Sequence, residues 1–360
     1  MTTAARLFLL WLICIPALAA DGSATAAASA KVDALFAPLA QGVQPGAGVL
    51  VIWRGAIVHE STYGYADVEN RVPLSVDSTF RLDSVSKQFT SMAIMLLAED
   101  SRLKYDDPVA RYLPELASYP GITVRNLLNH TGGLPDYYDI IDTSQGWPTN
   151  ADAKVLLGKM AKPVFAPGSR YEYSNPGYDM LAEVVEAASG QNFAAFVQQR
   201  IFAPLQMKDS LIYDTTKPHV ARRVLGYDPD GKGFKLNDEH PLNGIVGAGG
   251  VFTTLGDMFL WDQALYGEQL VSRATLDQAF TGAVLNDGRK TDYGFAWRID
   301  EYRHSRRLEH GGAWVGFRSH IARHPGIGLT IVILANRSDF ESDKYIDRIA
   351  DIYLAAMDGR

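Results

Sequence analysis

In Phe80-Arg81-Leu82-Asp83-Ser84-Val85-Ser86-Lys87-Gln88-Phe89 a polar pair stands at the mouth of an apolar run. From Phe89 to Ala98 the side chains are apolar nearly all round, which predicts a helix buried inside a domain. Ser84 and Lys87, three residues apart, open that helix and project from one face of its first turn. A lysine entering a buried helix is costly unless something uses its charge or its proton. One reading is structural: Ser84 caps the helix and Lys87 reaches out to solvent. The other is chemical: a serine hydroxyl becomes a nucleophile when a neighbour takes its proton, and a lysine does so once its pKa falls from about 10.4 toward neutrality. That fall of roughly three units corresponds to about 4 kcal/mol, within what burial supplies. The motif alone leaves both readings open, and the rest of the chain decides between them.

Upstream, Arg6, the apolar run Leu7–Ile15, Pro16 and the small-residue exit Ala17-Leu18-Ala19-Ala20 read as a secretory leader over residues 1–20. The run is too short for a membrane span, so no stable span is expected once the leader is removed. Cys14, the single cysteine, lies inside it, so neither a disulfide framework nor a cysteine nucleophile is expected. Export to the periplasm or the medium follows from this pattern. Residues 21–30, rich in Ala and Ser, read as a flexible spacer. The formal charge of −7 gives no electrostatic reason to expect nucleic acid.

Two strand-like runs, Gly48–Trp53 and Ala56–Tyr63, flank Arg54-Gly55 as a hairpin. From about residue 101 to 285, short helical patterns alternate with Pro/Gly-rich loops. The last of these helices is expected at Thr253/Thr254, where Thr254 and Asp257 have capping-box spacing. Strand patterns return at Tyr293–Ile299, Arg307–His310, Val315–Ala322 and Leu329–Ala335, before a closing helix near Lys344–Met357. Strands at both ends with helices between them predict an α+β fold, an α/β sandwich. One antiparallel sheet is assembled from N- and C-terminal segments (residues 31–83 and 286–360), with a mostly helical region (84–285) inserted.

Two further motifs carry chemistry. Arg170-Tyr171-Glu172-Tyr173-Ser174-Asn175-Pro176-Gly177-Tyr178 is held in a tight loop by Pro167-Gly168 and Pro176-Gly177. Tyr173 offers a phenol to relay a proton, and Asn175 a donor and an acceptor for a substrate amide. Leu308-Glu309-His310-Gly311-Gly312-Ala313-Trp314 places two glycines where a ligand can approach a strand backbone, with exposed N–H groups to receive an oxyanion. There is no G-x-S-x-G, and Gly247-Ala248-Gly249-Gly250 lacks the dinucleotide fingerprint. His130, His304, His320 and His324 lack metal-ligand spacing and read as structural or solvated; no metal and no organic cofactor is expected.

In this order and context, S-x-x-K, Y-x-N and H-G-G resemble the serine β-lactamase and penicillin-binding-protein superfamily, and within it the class C-like branch. That branch holds D-aminopeptidases, family VIII esterases and D-alanyl-D-alanine carboxypeptidases. Framing segments extend the resemblance over nearly all of residues 31–355, among them Asp77-Ser78-Thr79-Phe80-Arg81, Leu127–Pro135, Gly249-Gly250-Val251 and Tyr293–Trp297. The resemblance implies that Ser84 forms an acyl-enzyme, with Lys87 and Tyr173 sharing the proton work. It implies that Asn175, His310, Gly311 and Gly312 contact the substrate, and that the backbone N–H groups of Ser84 and Ala313 hold the oxyanion. In such families the third motif is usually Lys or His, then Thr or Ser, then Gly; here Gly311 replaces the hydroxyl residue. With His310 near an ordinary pKa of about 6.5, little fixed positive charge is expected there at neutral pH. This favours esters or D-amino-acid peptides lacking a carboxylate at that spot. It weighs against a β-lactamase or a carboxypeptidase, and a non-enzymatic alternative is a slowly deacylating β-lactam sensor.

Overall fold

The computed structural model describes residues 22–358. The leader expected at 1–20 and Cys14 lie outside the described residues. The main sheet has six antiparallel strands: β1 (Ala47–Trp53), β2 (Ala56–Tyr63), β3 (Arg298–Tyr302), β4 (Ser305–Trp314), β5 (Phe317–His324) and β6 (Leu329–Ala335). Their order, β3-β4-β5-β6-β1-β2, joins the two ends of the chain by pairing β6 with β1. Both of those strands are buried throughout, with apolar side chains on both faces.

Alternation along β1 feeds two cores. Val49, Val51 and Trp53 pack with Phe36 of helix α1 (Gly22–Phe36) and with Ile346, Ile349 and Tyr353 of the C-terminal helix Ser342–Asp358. Leu50 and Ile52 face the opposite way, into the core of the helical region. There lies α2 (Lys87–Glu99), buried from Lys87 to Leu97. The sheet is thus a middle layer with helices on both sides, and α2 runs beneath it. The same core continues through Phe89, Tyr178 and Trp261 to Phe317 and Val332, so the helical insertion and the sheet share one apolar interior.

Three expectations are corrected. Residues 22–36 form one helix with Ala28 buried and Ser29 bonded to His59 of β2 at 2.8 Å, so the stretch 23–30 is helical rather than a flexible spacer. Alanine's high helix propensity and a sheet face needing cover explain it. The strand expected from Tyr293 starts at Arg298, because Ala296 takes a left-handed φ of 63° that bends the chain before it. The helix capped by Thr254 (Leu255–Ala264) forms as expected but is followed by another, Arg273–Ala279.

Candidate active site

The nucleophile motif begins with a short 3₁₀ turn, Asp83–Ser86, that runs directly into α2. Leu82 N–H donates to Val251 O, and a three-stranded ribbon of Phe80–Arg81, Val251–Thr253 and Leu211–Ile212 ties this entry to the helical region. Asp83 holds a left-handed φ of 49°, which turns the chain sharply into Ser84.

Lys87 is completely buried and does not reach solvent. Its Nζ donates to Ala248 O (2.9 Å), Asn175 Oδ1 (2.8 Å) and Ser84 Oγ (3.2 Å), so three acceptors meet three ammonium donors. The Tyr173 and Tyr178 rings stand 4.9 and 5.6 Å from the nitrogen. Burial lowers its pKa to about 7, while the carboxyls of Asp179 and Asp83 pull the other way. The contact with Ser84 is the longest of the three, and it is the one a neutral amine reverses by accepting the hydroxyl proton.

Tyr173 and Asn175 arrive from the loop entering helix α3 (Asn175–Ser189), whose N-cap Ser174 accepts from Gly177 N–H at 3.2 Å. Tyr173 lines the same cleft as Ser84, and burial raises its phenol to about 12 while the Ser84 hydroxyl pulls it the other way. Behind it, His130 packs against the Tyr173 ring in a tilted pair, centroids 4.3 Å apart, and accepts from Ser174 N–H through Nδ1 at 3.1 Å. Burial and the nearby Lys87 keep His130 neutral. It therefore sets the angle of Tyr173, a part that its place in the sequence did not reveal.

Strand β4 brings the third motif alongside. A Cβ added at Gly312 would lie 2.3 Å from Ser319 Oγ and 2.5 Å from Leu82 O, so only glycine lets β4 pass this close to the nucleophile turn. Gly312 and Ala313 border the same cleft as Ser84. His310 is different from the expectation. Its Nε2 meets Tyr293 OH at 2.8 Å and its Nδ1 lies 2.7 Å from Gly311 O, so both ring nitrogens are taken up within the fold. Burial, then Lys87, lowers its pKa to about 3. His310 is uncharged, but the cleft is not poor in positive charge: Arg298, Arg318 and His320 line it, together with Glu309, Glu341 and Asp343.

The cleft has two ends. Tyr138, Leu242, Ile245 and Trp314 form an aromatic and apolar wall beside Ser84, with Asn243, Arg81 and Asp83 lining the same end. Tyr173, Gly311 and the charged residues form the other. The sequence reading missed Asp179, which is fully buried one turn after Asn175 on α3. Its carboxylate accepts from Tyr137 OH (2.6 Å), Tyr138 OH (3.1 Å) and Ala248 N–H (3.1 Å), the last being the residue whose carbonyl holds Lys87. An acidic residue inside Tyr178-Asp179-Met180-Leu181, four positions past Asn175, was the available signal. Among the described residues no cluster of three or more His, Cys, Asp or Glu is arranged to hold a metal ion.

Comparison with known proteins bears on this geometry. The family model for beta-lactamase matches residues 32–355. The chain belongs to the beta-lactamase family. It is 34% identical over 341 residues to penicillin-binding protein 4* of Bacillus subtilis (strain 168), covering 88% of this chain and 74% of the relative. It is 30% identical over 284 residues to the D-aminopeptidase of Brucella anthropi, covering 76% of this chain; the match spans about half of that relative's length, 52%. Among solved structures, D-amino acid amidase from Ochrobactrum anthropi SV3 complexed with D-phenylalanine superposes with a TM-score of 0.77 at 25% identity, covering 93% of this chain and 99% of that one. The penicillin-binding protein of Bacillus halodurans gives 0.76 at 26%, covering 91% and 98%. This beta-lactamase-family protein is therefore a serine hydrolase of the β-lactamase and penicillin-binding-protein group.

Proposed function

We propose that this protein is an exported hydrolase that cleaves esters or D-amino-acid amides and peptides through an acyl-Ser84 intermediate. The observation that carries the reading is Lys87, buried, drawn toward neutrality and 3.2 Å from Ser84 Oγ, with Tyr173 lining the same cleft. Ser84 Oγ attacks the carbonyl and its proton passes to the Lys87–Tyr173 pair, whose titrations belong to the site rather than to either residue. Asn175 Oδ1 is held by Lys87, so its Nδ2 is left to donate to the substrate's acyl-side carbonyl. The developing oxyanion rests on the Ser84 and Ala313 N–H groups, each such donor being worth about 3–4 kcal/mol. Tyr173 returns the proton to the leaving group, and water then releases the acid. The aromatic end of the cleft suits an apolar acyl group. The D-aminopeptidase relatives and the amidase structure support a D-amino-acid acyl donor.

Burst kinetics with a p-nitrophenyl ester and with D-phenylalanine p-nitroanilide test this reading. Sustained turnover beyond one equivalent is expected, falling about 10⁴-fold or more in Ser84→Ala. The likeness to penicillin-binding protein 4* favours one second reading, acylation by β-lactams. A stable one-to-one adduct with a chromogenic cephalosporin, and no ester turnover, would establish that reading instead. Export is tested by N-terminal sequencing of the mature protein, where a start just after Ala19 or Ala20 is expected.

A further inference from the structure

The charged end of the cleft contains an ion pair that the reaction above does not use. His320 lies on β5 directly across from Gly311 of β4 and is 4% exposed. Its Nε2 is hydrogen-bonded to Glu309 Oε2 at 2.6 Å, whereas its Nδ1 lies 2.8 Å from Asp343 Oδ1, an ion-pair contact without hydrogen-bond alignment. Burial works against a charged ring here, but the Asp343 and Glu309 carboxylates overcome it and raise its pKa. The two partners differ in kind. The Glu309 side chain is 15% exposed and fixed in the sheet, whereas that of Asp343, in the first turn of the C-terminal helix, is 85% exposed. Gly311 leaves open the space between this pair and the cleft. A Cβ there would lie 3.5 Å from His320 Nδ1 and 3.8 Å from Asp343 Oδ1.

Tyr173, which protonates the leaving group in the proposed reaction, lines this same end with Gly311, His320 and Asp343. It is therefore the leaving-group side. His320, Arg298 and Arg318 put cationic side chains on these walls, and carboxylates of the chain already face them: Glu309, held in the sheet, on one ring nitrogen of His320, and the exposed Asp343 beside the other.

Resting on the hydrolase reading, we propose that Asp343 is a specificity-determining residue that occupies the leaving-group anion subsite with its own carboxylate and so rejects substrates whose leaving group carries one. The rejection has two parts. An incoming carboxylate must displace Asp343 from His320, and the displaced charge stays within the cleft mouth to repel it. Leaving groups that are amides, alcohols or amines meet no such cost.

Two thioesters of N-acetyl-D-phenylalanine test this. In one the leaving thiol is thioglycolate; in the other it is thioglycolamide, so the pair differs in one carboxylate, and both are read by thiol release. The wild-type kcat/KM ratio is expected to favour the amide at least tenfold. In Asp343→Ala and Asp343→Asn that ratio is expected to narrow at least tenfold, while Glu341→Gln, which removes another acid of the same cleft, leaves it in place. Equal ratios in wild type and both Asp343 variants would overturn the proposal. So would the same narrowing in Glu341→Gln, which would make the effect one of general charge. Absence of Ser84-dependent turnover of either thioester while the p-nitrophenyl ester is still hydrolysed would overturn this inference alone, whereas loss of ester turnover as well would remove the hydrolase reading on which it rests.

Discussion

At the scale of the residue, the site is governed by what happens to one buried amine. An ordinary lysine is protonated at neutral pH and takes no proton from a serine. Burial brings Lys87 to about 7, so its basic form grows as pH climbs through that value. The expected kcat/KM profile therefore has an acid limb near pH 7 and is reduced below it. Asp179 opposes the shift, and in Asp179→Asn the limb should move to lower pH; movement to higher pH would contradict the electrostatic account. Tyr173→Phe, removing the phenol while keeping the ring against His130, should cost about 10²- to 10⁴-fold in kcat. That Ser84, Lys87, Tyr173 and Asn175, the residues proposed for the chemistry, belong to one cleft was legible from the chain because spacing and local context announce them. Asp179, His320 and the locked His310 were not, because their significance comes from partners on other elements: Ala248 for the first, Glu309 and Asp343 for the second, Tyr293 for the third.

At the scale of the element, the critical fit is between β4 and the turn before α2. Gly311 and Gly312 are adjacent, yet the structure gives them unequal demands. A methyl at Gly312 meets Ser319 Oγ and the Leu82 carbonyl well inside contact distance, so Gly312→Ala must push β4 away from Ser84. It should cost about 1–3 kcal/mol in stability and carry most of the activity with it. Gly311→Ala meets nothing nearer than 3.5 Å and should change stability by no more than about 0.5 kcal/mol. Denaturant midpoints and ester turnover for the pair check both statements. The sequence marked the sheet strands well where side chains alternate or run apolar, as in β6, whose expected and observed limits coincide. It failed at Tyr293–Trp297, where a strand-like composition is overruled by the bend at Ala296. It failed again at 23–30, where helix formation depends on a sheet face that the local residues do not reveal.

At the scale of the whole molecule, the sheet and the helical region are joined by more than apolar contact. Arg323 of β5 is 1% exposed and Asp262 of the Leu255–Ala264 helix is 0% exposed; Arg323 Nε donates to Asp262 Oδ1 at 2.7 Å, and Thr330 of β6 donates to the same oxygen at 2.8 Å. The guanidinium also lies 4.4 Å from the Tyr266 ring centre. Two charges withdrawn from water in this way gain little net stability as a pair, yet removing one partner strands the other in a low-dielectric interior. Arg323→Met should therefore lower unfolding stability by about 3–5 kcal/mol, seen as a lower urea midpoint with an unchanged slope. The double variant Arg323→Met with Asp262→Leu removes both charges and should recover much of that loss. A double variant as unstable as the single one would mean that the ring stacking and the Thr330 bond, rather than the stranded carboxylate, carry the energy. The separation of 61 positions between Asp262 and Arg323 hid this link from the sequence, since nothing local to either residue says that β5 will lie against that helix.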